Sequence, residues 1–187
     1  MAADSKIIET ERLVLRPWHD NDADSLYRYA SDKRVCELAL WPCHTSPEMS
    51  LEVIETIFKP NPHSFAMAAK ESDEAIGCIG LVPEGDGHYP LAPAEREVGY
   101  WIGYPWWGRG LTTEALGALI GYCRDVLHID SLVITTDAEN RASQRVARKC
   151  GFVFVEDYIY GGISSKAYRL HLKNIEATGN NGTQAGC

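Results

Sequence analysis

No C-x-x-C pair occurs among the six cysteines, which fall at positions 36, 43, 78, 123, 150 and 187. Cys78, Cys123 and Cys150 sit inside apolar patterns, so buried free thiols are expected rather than disulfides or metal ligands. The six histidines are scattered without ligand spacing, and no metal is expected. No apolar run approaches the roughly 18 residues that a membrane-spanning helix needs, so no membrane partner is expected. The opening residues Met1-Ala2-Ala3-Asp4-Ser5-Lys6 lack the basic and apolar regions of a signal peptide, and a cytoplasmic protein is the expectation. Basic charge is short too. Lys and Arg number 18 against 26 Asp and Glu, a net charge of −8, which argues against a nucleic-acid partner and leaves a cationic substrate open.

What is present reads as an ordinary globular chain. Its 187 residues suit one domain, expected over residues 1–175, with the Gly-Asn-Asn-Gly-bearing segment 176–187 as a flexible tail. Alternation gives a first strand over Arg12–Arg16, stopped by Pro17. A helix is expected from Asp20 to Arg34, then a loop from Cys36 to Pro47 and a second helix that Asn61-Pro62 breaks. Two strands follow, near Ser64–Ala69 and Ala75–Val82. The proline-rich stretch 83–94 reads as a long surface loop. Glu97–Gly103 is a fourth strand, 111–127 a helix and 132–134 a short strand. A capped helix over 140–150 and strands near 152–158 and 166–172 complete the chain. Periodicity alone supports α+β, or α/β with a mixed sheet. Gly117 and Gly121 lie inside the 111–127 helix at a cost of roughly 1 kcal/mol each, for which close packing on the sheet is the expected reason.

The chain is organised around Tyr104-Pro105-Trp106-Trp107-Gly108-Arg109-Gly110-Leu111-Thr112-Thr113-Glu114-Ala115, between an apolar strand and a helix. Such a turn cradles anions. Glycine lets the backbone come close, and the free N–H groups of the first helical turn face the guest. A phosphate loop of the NTPase kind needs four residues between its glycines and then Lys; here one residue separates Gly108 and Gly110. A dinucleotide fingerprint needs a third glycine where Thr113 stands.

The stretch resembles the acetyl-CoA loop of GNAT-superfamily N-acetyltransferases, with Pro105 in place of the usual leading Gln or Arg. Tyr100-Trp101-Ile102, Trp107-Gly108-Arg109-Gly110 and Thr113-Glu114-Ala115 are similar to the branch named for ribosomal-protein N-terminal acetyltransferases. So are Asn140-x-x-Ser143, Lys149-x-Gly151-Phe152 and the early Glu9-Thr10-Glu11-Arg12-Leu13. The resemblance implies an α+β, α/β/α sandwich-like fold with a central mixed, mostly antiparallel sheet of about six to seven strands and flanking helices. It also implies acetyl-CoA as co-substrate, held by Ile102, Gly108, Arg109, Gly110, Leu111, Thr112, Asn140 and Lys149; a solvated Lys149 that favours the helix dipole is the equal alternative. The acceptor it implies is an amine, a peptide N-terminus or small molecule, lying between the first two helices and the 158–162 turn. The enzyme is expected as a monomer or homodimer.

Many members carry a tyrosine four residues before the helix-ending glycine to protonate the leaving thiolate; here Ala147 stands there, and Ser143 is the matching candidate in this branch. Glu97 is the candidate base for the amine, with Glu95 as fallback; an edge glutamate facing water, or bonding to backbone, is the equal reading of Glu97. Trp101, Trp106 and Trp107 read as packing. A silent acyl-CoA-binding module and a generic nucleotide binder are the competing functions.

Overall fold

A computed structural model describes residues 6–39 and 41–174; the expected tail lies outside them. Eight strands form one sheet in the order β1-β2-β3-β4-β5-β6-β8-β7. They are β1 (Ile8–Glu9), β2 (Leu13–Arg16), β3 (Ser64–Ala69), β4 (Ala75–Leu81), β5 (Glu95–Ile102), β6 (Ser131–Asp137), β7 (Val153–Tyr160) and β8 (Ile163–His171). Every neighbouring pair is antiparallel except β5 and β6. The strand beyond the expected count is β1, whose two residues are too few for periodicity to register.

β3 and β4 are buried along their whole length, so side chains of both faces find cover. Two glycines of β4 let its neighbours approach. A Cβ at Gly77 would lie 2.5 Å from the Trp101 carbonyl oxygen, and one at Gly80 would lie 2.3 Å from that of His63.

The first expected helix is two. α1 (Ala23–Ala30) follows a single tight turn at Asp20–Asp22, and α2 (Lys33–Ala39) runs into what reads as loop. Asp32 makes the break: its carboxylate accepts the Arg34 N–H, and its carbonyl accepts those of Val35 and Cys36, so it caps a new helix. The chain then folds back, with the His44 N–H on the Ala30 carbonyl and that of Trp41 on the Cys36 carbonyl. That return brings Cys43 to Cys36 and they form a disulfide, against the expectation of free thiols. Cys78, Cys123 and Cys150 are free, as expected, and Cys187 lies outside the described residues.

α3 (Pro47–Val53) has Ser46 as N-cap and Pro47 in its first turn. It widens into a π-type turn over Ile54–Phe58, closed by the Lys59 N–H on the Ile54 carbonyl. Arg16 of β2 ties the turn before α1 to the β3–β4 turn. Its five N–H donors meet Asp22 twice, the Asp73 carboxylate, and the carbonyls of Pro17 and Asp73. Arg16 and Asp22 are 6% and 5% exposed. Removing one partner of such a pair costs about 3–5 kcal/mol.

α4 (Leu111–Asp125) buries Leu116, Leu119, Ile120 and Cys123, as its spacing predicts. α5 (Arg141–Lys149) opens on Asn140, whose Oδ1 accepts the Ser143 N–H, and closes on Gly151 at φ +86. Phe152 N–H to Ala147 O and Gly151 N–H to Arg148 O complete the C-terminal cap. The helical spacing predicts a buried stripe of Ala142, Val146, Ala147 and Cys150; Ala142 is instead exposed, and Gln144 is buried with its amide on the Ala138 carbonyl.

The packing reason for Gly117 and Gly121 is also overturned, because a Cβ at either meets nothing within 4 Å. Without a packing role their helical cost stands alone. Gly117→Ala and Gly121→Ala should therefore each stabilise the protein by up to about 1 kcal/mol, seen as higher urea midpoints. Lower midpoints would restore the close-packing explanation.

Candidate active site

β5 and β6 pair only at Glu95↔Ser131, Arg96↔Leu132 and Glu97↔Val133. Beyond that point β5 stays with β4 as far as Ile102, while β6 stays with β8 as far as Asp137. The two strands part, and two clefts open from the gap.

The first has a volume of about 320 Å³. One wall is the end of β5 and the turn into α4, with Ile102, Gly108, Gly110, Leu111 and Thr112 on the lining. Gly108 and Gly110 hold φ values of +73 and +77, the left-handed region where other residues are strained. Gly110 is the N-cap of α4 and supplies no side-chain cap, so the first-turn N–H groups remain free for an anion. The other wall is α5, from which Asn140, Ser143, Arg145 and Lys149 line the cleft. A pyrophosphate fits this donor set: free backbone N–H groups at a helix start, facing two cations.

The early Thr10-Glu11-Arg12 stretch holds the turn from behind. The Arg12 guanidinium donates to the Arg109 carbonyl at 2.9 Å and to Glu114 Oε2 at 2.7 Å. The Arg12 N–H and the Thr10 hydroxyl reach Glu114 Oε1 at 2.8 and 2.6 Å. Burial raises the Glu114 pKa, but these hydrogen bonds outweigh it and hold the carboxyl below its ordinary range. Its charge is matched by Arg12 and leaves the helix start open to another anion.

The second cleft, of about 300 Å³, lies on the far side of the gap. Leu38, Phe58, Glu97, Asp137, Tyr158 and Tyr160 are on its lining. The two clefts share Leu38, Ala39, Tyr100, Trp101, Asn140 and Ser143. At this junction the Ser143 hydroxyl and the Tyr100 phenol lie 2.9 Å apart. Burial raises the phenol pKa above its ordinary value, against a smaller lowering by Ser143, so it keeps its proton.

Glu97 is 3% exposed; its oxygens accept the His88 N–H at 2.8 Å and the Thr135 hydroxyl at 2.5 Å. Glu95 lines neither cleft and is engaged by Arg169, Ser131 and the Ala92 N–H. Arg109 is the one residue of 108–113 off the cleft lining, with its guanidinium over the Trp106 ring. The three tryptophans pack and also wall the first cleft; the Trp107 indole N–H donates to the Ile102 carbonyl. Sequence reasoning missed Arg145, Asp137 and the role of Tyr100. Arg145 had a signal, lying four residues before Lys149 on one helix face; the Tyr100 contact, 43 residues away, had none.

Residues 12–153 match the model of the acetyltransferase (GNAT) domain. The chain is 29% identical over 149 residues to the uncharacterized N-acetyltransferase p20 of Bacillus licheniformis, covering 76% of this chain and 80% of that one. It is 29% identical over 166 residues to the [ribosomal protein uS5]-alanine N-acetyltransferase of Escherichia coli, covering 81% and 82%. Among solved structures it resembles the microcin C7 self-immunity acetyltransferase MccE, determined with acetyl-CoA and AMP. That likeness has a TM-score of 0.70 at 23% identity, over 86% of this chain and 93% of that one. With the family's domain matched over most of its length, the chain belongs to the GNAT acetyltransferases and is an acetyl-CoA-dependent N-acyltransferase.

Proposed function

We propose that the enzyme moves an acetyl group from acetyl-CoA to the α-amine of a peptide N-terminus or a small amino compound, by direct attack in a ternary complex. The observation that carries this is the meeting of the two clefts at the Ser143–Tyr100 hydroxyl pair. A thioester in the first cleft and an amine in the second come together there.

The chemistry asks little of the protein. The amine attacks when neutral, and Glu97, on the acceptor side, accepts its proton. As the carbon–sulfur bond breaks, the Ser143 hydroxyl, backed by the protonated Tyr100 phenol, donates a hydrogen bond to the departing thiolate. A thiol with a pKa near 8.5 is a good leaving group, so this support suffices. The thiol facing the acceptor cleft is Cys78, and burial pushes its pKa up to about 11. Little thiolate exists there at neutral pH, which favours direct transfer over a covalent acyl-enzyme. Removing a proton at pH 7 costs about 1 kcal/mol for an α-amine of pKa near 7.8, against about 4.6 kcal/mol for a lysine amine near 10.4. With one carboxylate as base and no tyrosine at position 147, the α-amine is favoured.

Because backbone binds the pyrophosphate in this reading, Gly110→Val should abolish the thermal stabilisation given by acetyl-CoA, while Arg109→Ala largely keeps it. At about 100 times its dissociation constant the ligand should stabilise the wild type by roughly 2.7 kcal/mol. A shift with ATP but none with acetyl-CoA would sink the cofactor assignment. Ser143→Ala should lower kcat by about 10²-fold with little change in CoA affinity; an unchanged kcat removes Ser143 from the mechanism. Release of free CoA should be faster with a free-N-terminus peptide than with its N-blocked, lysine-containing twin. The reverse order overturns the α-amine preference, and binding without turnover on any amine leaves a silent acyl-CoA-binding module.

A further inference from the structure

The two clefts differ in charge. Arg145 and Lys149 face the first. Among the described residues no lysine or arginine lines the second, whose acidic groups are Glu97 and Asp137 and whose one imidazole is His88. On β8, Lys166 pairs with Asp157, and Arg169 with Glu95.

Glu97 is deeply buried yet receives only neutral donors, the His88 N–H and the Thr135 hydroxyl. Asp137 closes the turn from β6 into α5 by accepting the Glu139 N–H with one oxygen, and it has no cationic partner among the described residues. A buried carboxylate without a counter-charge is costly to its fold and attracts a cationic guest. The same field repels an anion brought into the cleft beside the reacting amine, where no guanidinium or ammonium compensates it.

We propose that the acceptor cleft rejects amines bearing an anion next to the amine, and that Asp137 is a determinant of this selection. The acceptor class is thereby narrowed to cationic amines flanked by neutral groups, such as a peptide N-terminus led by neutral residues. Free amino acids, whose carboxylate sits one carbon from the amine, and acceptors with a neighbouring phosphate fall outside it. This rests on the acetyl-transfer reading above. The two carboxylates have separate tasks in it: Glu97 takes the proton, whereas Asp137 touches no reacting atom and sets the local potential.

The test uses two matched pairs of tripeptide amides: Asn-Ala-Ala against Asp-Ala-Ala, and Ala-Asn-Ala against Ala-Asp-Ala. Each pair exchanges a carboxamide for a carboxylate of nearly equal size, and kcat/KM is referred to the neutral amine. The neutral member should be favoured by about 30-fold or more where the substituent is on the first residue. Asp137→Asn keeps an acceptor for the Glu139 N–H, so folding is preserved and checked by thermal melting. It should narrow that preference by about threefold or more, through KM of the acidic peptide more than through kcat. Equal use of the two members, or a preference unmoved by Asp137→Asn, overturns the proposal and leaves acetyl transfer standing. No CoA release with any of the four peptides overturns the peptide N-terminus as acceptor and this proposal with it.

Discussion

Three residue pairs of parallel ladder join the two halves of the sheet, and the site follows from where that ladder stops. Had β5 and β6 stayed paired to their ends, their facing edges would be satisfied and the space between them closed. Instead each strand keeps its antiparallel partner on the outside and leaves its inner edge open. A backbone edge at the core of a sheet needs hydrogen-bonding partners. The break in pairing therefore leaves donors and acceptors facing both clefts.

The elements following the two separated strands then face one another. β5 leads through the glycine turn to the start of α4, and β6 leads through Asp137 and Asn140 to the start of α5. Ser143 lies in the first turn of α5 and Tyr100 near the end of β5, so their hydroxyls meet over the gap. The same arrangement assigns charge by side: the basic stripe of α5 faces one opening and the carboxylates of β5 and β6 the other.

Much of this was legible in the chain, and the failures share a cause. Gly108 and Gly110, Asn140 and Gly151 are read correctly because local backbone geometry dictates them. The Glu9–Leu13 and Thr113–Ala115 motifs stand out as sequence, but that they grip one another is a long-range fact. Gly117 and Gly121 fit a close-packing pattern, yet nothing lies against them, since the sequence shows a face without showing what meets it. Cys36 and Cys43 fit no familiar spacing. Their pairing depends on α2 ending at Ala39 and the chain turning back, neither of which alternation or helical period encodes. Tyr100 looks like one more apolar strand residue until α5 is docked against it.

The hold of Arg12 on the glycine turn gives the beginning of the chain authority over a loop 97 residues later. Arg12 lies between β1 and β2, a two-residue strand and a four-residue one. A fusion partner or affinity tag placed ahead of Ile8 therefore pulls on a lever whose far end is the glycine turn. An untagged or C-terminally tagged protein is the proper reference for any measurement on that turn.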